Sequence, residues 1–215
     1  MSPPQRRKRA TSSSSRPIAV AITGGIGAGK SEALKAFARH GAAVISSDEI
    51  VHRLIREDER VKRAMLERLG PEILGEDGQI DRSLVAKVVF GDRDALLWLE
   101  QLLHPLVSLE YLRWRDELAQ RPDPPALAVT EVPLLYEAGS QDRFDKVVLI
   151  TAPRKLAAAR ARVFADERSD RLIPDEEKAR RADFVYVNDG SLEELDAFVA
   201  GVVRELRAAR EPEPQ

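Results

Sequence analysis

The stretch ITGGIGAGKSEA, residues 22–33, constrains this chain more than any other. It places four glycines in six positions, then a lysine and a serine, directly behind the apolar run at 18–22. Successive backbone N–H groups can wrap a polyphosphate only where no Cβ blocks the approach and φ can turn positive, which accounts for Gly24, Gly25, Gly27 and Gly29. Gly24, four residues, then Gly29-Lys30-Ser31 satisfies the phosphate-loop spacing, with strand character before it and helix character after it. The helix that starts near Lys30 adds its N-terminal dipole. Residues Gly25, Ile26, Gly27, Ala28, Gly29, Lys30, Ser31 and Glu32 are therefore expected to contact ATP. Lys30 would act on the β- and γ-phosphates as a catalytic residue, and the Ser31 hydroxyl would be a ligand of Mg²⁺. Kinases, switches and motors all share such a loop, so the phosphoryl acceptor has to be read from the remaining sequence.

Four further runs resemble the first strand: residues 43–46, 127–131, 146–151 and 184–187. Each is nearly continuously apolar, as expected of strands buried on both faces of a parallel sheet. Between them, residues 31–39, 48–56, 94–120, 153–164 and 192–208 carry helical spacing. The alternation predicts an α/β fold of the P-loop three-layer type, with a mostly parallel five-stranded sheet and right-handed crossovers. About 80 residues between the second and third strands carry helix signals and no clear strand, too many for a simple crossover. They are expected to form a helical insertion over 48–125, leaving a nucleotide-binding core of 17–47 and 126–209.

Composition narrows the partners. In 215 residues, 34 basic and 36 acidic side chains leave a formal charge of -2, so no overall field favours nucleic acid or an anionic membrane surface. The chain has no cysteine, which removes thiolate chemistry and fits a reducing compartment. No apolar run approaches the roughly 20 residues that span a bilayer. The expected location is the cytoplasm, as a monomer or small homo-oligomer. Residues 1–16 hold five basic side chains with Pro and Ser and no acid, and are expected to be a disordered tail; 210–215 is expected to be a second, shorter tail.

VISSDEIVHRL, residues 44–54, ends the second strand and puts Asp48 where the carboxyl edge of the sheet meets the next helix. A carboxylate there either accepts the proton of an attacking hydroxyl or caps the helix. With IAVAITGGIGAGKS, LLHPLV at 102–107, VTEVPLLYE at 129–137 and EEKARRADFVYVNDGS at 176–191, the chain resembles the dephospho-coenzyme A kinases in an ordered set of five motifs. The resemblance runs from about residue 17 to 206.

The resemblance implies transfer of the γ-phosphate of ATP to the ribose 3′-hydroxyl of dephospho-coenzyme A, the last step of coenzyme A synthesis. It also implies that the insertion binds the acceptor and that a lid spans about 160–178. Asp48 is then the base, and His104, Leu134 and Glu137 belong to the acceptor site. Asn188 would lie along the adenine of ATP, while Arg160, Arg162 and Arg168 are candidates for the lid cation. Each has a plainer reading from the residues alone: His104 as a helix-terminal histidine beside a Pro-started helix, VNDG as a turn, and the arginines as a solvated helix face. The chain departs from the family at Ser46-Ser47-Asp48, where Asp-x-Asp is frequent, and at Glu131, where an aspartate is usual. Further departures are Glu32 in place of threonine, Leu172 in place of glutamine, and a shorter lid. The competing functions are another small-molecule or nucleoside monophosphate kinase of this fold and a regulatory nucleotide-binding protein. No Asn-Lys-x-Asp sequence that would read guanine is present.

Overall fold

In a computed structural model of the chain, residues 16–89, 91–160 and 172–210 are described. The lid candidates Arg162 and Arg168 and nearly all of both expected tails lie outside these residues. Five strands, β1 (Ile18–Thr23), β2 (Ala43–Ser46), β3 (Leu127–Glu131), β4 (Lys146–Thr151) and β5 (Phe184–Val187), form one sheet in the order β2-β3-β1-β4-β5. All four pairings are parallel. β1 is central, and its residues Ala19 to Ile22 have no exposed surface, so every carboxyl strand end opens on one edge of the molecule.

Helices α1 (Lys30–Arg39) and α8 (Leu192–Ala208) cover one face of the sheet. In α8, Leu195, Val199, Val202, Val203 and Leu206 recur at helical spacing and pack with Phe37, Val20, Ile22, Val129, Val148 and Ile150. The helix is started by a reciprocal capping box between Ser191 and Glu194. Tyr186 of β5 stacks on Phe198 of α8 at 4.8 Å, while Val185 and Val187 on the opposite face of β5 are 41% and 51% exposed. The apolar run at 184–187 therefore belongs to an edge strand rather than to one buried on both faces: its hydrophobicity does not encode its place in the sheet.

Between β2 and β3 the chain forms α2 (Ser47–Glu57), α3 (Glu59–Leu69), α4 (Arg82–Val89) and α5 (Arg93–Ala119). These bury an apolar cluster of their own, including Ile55, Val61, Met65, Ile73, Val85 and Leu103. A second cluster, Ile50, Leu54 and Tyr111 with Phe144, joins α2 and α5 to the sheet. Helix α5 runs without interruption through Pro105, although proline there removes the N–H that would bond the Gln101 carbonyl. His104 is thus inside a long helix and is not the end of one. After β4 come α6 (Arg154–Arg160) and α7 (Asp175–Ala179). Among the described residues no helix is long and apolar enough to cross a membrane.

Candidate active site

The loop from Gly24 to Gly29 joins β1 to α1 at the carboxyl edge of the sheet. Gly24 and Gly29 adopt φ of 143° and 99°, in the region that glycine alone enters at little cost. The space around them is also taken: a Cβ on Gly24 would overlap the Ile150 carbonyl, and one on Gly29 the Asn188 amide. Lys30 is 8% exposed and its Nζ donates to the Gly25 carbonyl at 2.9 Å. Burial pulls its ammonium below the ordinary lysine range, and the charges of Glu131 and Asp48 oppose that shift. The Ser31 hydroxyl donates to the Glu131 carboxylate, 3.1 Å from Oε2. Glu131 ends β3, and burial pushes its carboxyl above the usual range, with Lys30 pulling the other way.

Glu32 carries its charge away from the loop. Its Oε1 pairs with Lys35 at 2.8 Å, one turn along α1 and largely in solvent. Asn188 does more than turn the chain: it is 5% exposed, and its Nδ2 donates to the Ala28 carbonyl at 2.8 Å. That bond braces the phosphate loop, while the Asn188 N–H donates to the Thr151 carbonyl at 2.7 Å. Arg160 Nη1 donates to the Asn188 carbonyl at 3.0 Å, so this lid candidate reaches the same corner.

The first turn of α2 presents Asp48. The cap of this helix is Ser46, whose hydroxyl accepts from the Asp48 N–H at 3.1 Å, while Glu49 reaches back to the Ser46 N–H in a capping box. The Asp48 carboxylate is not used as a cap and stays exposed, within electrostatic reach of Lys30. A cavity begins beside it, and a second adjoins that one. One, of about 200 Å³, is lined by Ser47, Asp48, Tyr111, Thr130, Pro133 and Arg143 among others. The second, of about 300 Å³, includes Glu100, Tyr136, Glu137 and Leu172. His104, Leu134 and Ala138 border both, so the cleft runs between the helices α2 and α5 and the segment that follows β3. Asp48, His104, Leu134 and Glu137, chosen from sequence, all line it.

Three groups here were missed at the level of sequence. Lys178 of α7 is 2% exposed and forms a 2.7 Å ion pair with Glu137; the same Glu137 Oε1 accepts the Ile173 N–H at 3.1 Å. Asp175, at the start of α7, faces Gly25 of the loop, and burial raises its carboxyl despite the nearby Lys178 and Lys30. Arg115, on α5, is buried behind the cleft. Contacts between residues so far apart in the chain leave no periodic trace in a single sequence.

A parallel sheet whose glycine-rich loop enters a helix at the carboxyl edge, with a carboxylate and a cleft beside its lysine, defines a P-loop kinase. The model of the dephospho-CoA kinase family matches residues 18–194. Dephospho-CoA kinases of Protochlamydia amoebophila and Mesorhizobium japonicum are 36% and 37% identical over 199 and 200 residues. Those alignments cover 87% and 90% of this chain and 96% and 98% of the relatives. The crystal structure of TT1252 from Thermus thermophilus superposes with a TM-score of 0.69 at 34% identity, covering 89% of this chain and 98% of the other. The chain belongs to the dephospho-CoA kinase family, which catalyses the final step of coenzyme A synthesis.

Proposed function

We propose that the protein transfers the γ-phosphate of ATP to the ribose 3′-hydroxyl of dephospho-coenzyme A, with Asp48 as the base. The observation that carries this reading is the juxtaposition of Asp48, free of capping duty, with Lys30 on one side and a cleft long enough for an extended acceptor on the other. In the reaction the acceptor oxygen bonds to the γ-phosphorus, the bond to the β-phosphate bridging oxygen breaks, ADP leaves, and Asp48 takes the hydroxyl proton. The loop N–H groups hold the phosphates, and Lys30, released from the Gly25 carbonyl, neutralises charge on the β- and γ-oxygens. The Ser31 hydroxyl and Glu131 carboxylate, already in contact, are hard oxygen donors of the kind Mg²⁺ takes alongside nucleotide phosphates. When bound, that ion would supply charge neutralisation at the phosphates. Glutamate in place of the usual aspartate still reaches Ser31, so the longer side chain fits the same duty.

The insertion formed by α2 to α5, roughly 48–125, is the acceptor-binding part in this reading, with His104 at the junction of the two cavities and Leu134 and Glu137 on the opposite side. Arg160 is the described lid cation. A cytoplasmic location follows from the chemistry, since ATP and the acceptor are both found there. The experiment is a phosphoryl-transfer assay with Mg²⁺, ATP and a panel of acceptors comprising dephospho-coenzyme A, nucleoside monophosphates and shikimate. Turnover of dephospho-coenzyme A far above the others is expected; preference for a monophosphate overturns the assignment. His104→Ala should raise KM for dephospho-coenzyme A more than KM for ATP, and an effect confined to ATP removes His104 from the acceptor site.

A further inference from the structure

One wall of the cleft beside Asp48 carries two arginines that, among the described residues, form no ion pair with a carboxylate. Arg143, which ends the short turn Gln141–Arg143, lines the cleft together with Ser108, Ser140 and Tyr111, and its Nη1 donates to the Ser108 hydroxyl. Arg115 of α5 stands behind it. Arg115 Nη1 donates to the Arg143 carbonyl at 3.3 Å, and its guanidinium lies 5.7 Å from the centroid of the Tyr111 ring. Although Arg115 is only 8% exposed, its Nε has no hydrogen-bond partner among the described residues. The buried hydroxyls of Tyr111 and Thr130, on the same wall, have no hydrogen-bond partner among the described residues.

A guanidinium buried without a counter-charge costs free energy that packing on an aromatic ring offsets only in part. An anion delivered by the substrate explains its retention. Burial also raises the Tyr111 phenol, which keeps it a neutral donor at working pH. ATP has its own phosphate cradle in the glycine loop, so the anion belonging to this wall is a different one. We infer that Arg143, held in place by Arg115, receives the diphosphate of the acceptor. The planar fork of a guanidinium suits bidentate binding of phosphate oxygens. Arg143 touches the anion, and Arg115 is a positioning residue that acts through the Arg143 carbonyl and through its charge. The inference rests on the acceptor reading of the cleft and adds to it which group of the acceptor this wall recognises.

The test is steady-state kinetics of the full chain and of Arg143→Lys, Arg143→Gln and Arg115→Met, with thermal melting alongside. Arg143→Gln is expected to raise KM for dephospho-coenzyme A by about tenfold to a hundredfold, the range for one charge-assisted contact. KM for ATP should not move, and Arg143→Lys should recover part of the loss. Arg115→Met should raise the acceptor KM while melting at or above the parent temperature, because it removes an unpaired buried cation. The inference is overturned by a parental acceptor KM in Arg143→Gln, by equal losses in Gln and Lys, or by KM for ATP rising in step. It is also overturned if Arg115→Met melts earlier and keeps the parental acceptor KM. A parent protein that does not phosphorylate dephospho-coenzyme A overturns the function itself, and the inference with it.

Discussion

Replacing Asp48 by asparagine separates catalysis from folding, because α2 is capped by Ser46 and Glu49. The substitution leaves both cap bonds in place and keeps the side chain nearly the same size at an exposed position. What it removes from stability is one negative charge in the first turn, worth about 0.3–1 kcal/mol at a helix N-terminus. Ser46→Ala, two residues earlier, loses the hydroxyl that accepts the Asp48 N–H and should cost about 1 kcal/mol, up to ~2. The order reverses for rate. Loss of a general base lowers kcat by about 10² to 10⁴, or about 2.7–5.4 kcal/mol of barrier at about 1.36 kcal/mol per decade. The assay is kcat at saturating ATP and dephospho-coenzyme A, paired with melting temperatures of the two variants. Asp48→Asn should melt above Ser46→Ala and turn over far more slowly. Retention by Asp48→Asn of more than about a tenth of the parental kcat, outside the range expected for a base, refutes the reasoning.

Lys30→Met should fold and melt like the parent but lose about 10²-fold or more in kcat, since it removes a charge aimed at the phosphates; parental turnover would refute the loop assignment. Lys178→Ala leaves the buried Glu137 carboxylate without its cation and should cost about 3–5 kcal/mol, whereas Lys178→Met with Glu137→Gln should cost less than the single change; urea unfolding of both variants checks the order. Burial raises the Glu131 and Asp175 carboxyls above their ordinary values of 4.5 and 3.8, so the folded state holds these protons to a higher pH than the unfolded chain does. Stability linked to them therefore falls as pH rises from the unfolded value through the folded one. A pH series of melting temperatures should be flatter in that acidic window for Glu131→Gln and Asp175→Asn, and an unchanged profile contradicts the burial of these groups.

The strands were legible because the center of a parallel sheet demands unbroken apolar runs, and all five occur at the residues read from sequence. The phosphate loop was legible because glycine is required wherever a Cβ would strike Ile150 or Asn188. Helix starts were less so. Asp48 looked like a cap by composition, yet the true signal, Ser46 followed three residues on by Glu49, is the capping-box spacing and was available in the sequence. Taken alone, LLHPLV suggests a helix end at Pro105, whereas the helical spacing over 94–120 runs straight through it, as α5 does. Edge exposure of Val185 and Val187 was not encoded in their hydrophobicity. The pairing of Lys178 with Glu137, and of Arg115 with the Arg143 carbonyl, joins residues far apart in the chain, and one sequence holds no record of such contacts.

The central claim is that this chain places a phosphate on the 3′-hydroxyl of dephospho-coenzyme A. The most direct test is ³¹P NMR of the product formed from dephospho-coenzyme A and ATP with Mg²⁺. One new phosphomonoester at the ribose 3′ position is expected, with one ADP released for each, and the signal should be lost in Asp48→Asn. A phosphate at the 2′ position, or ADP release without a phosphorylated acceptor, would contradict it.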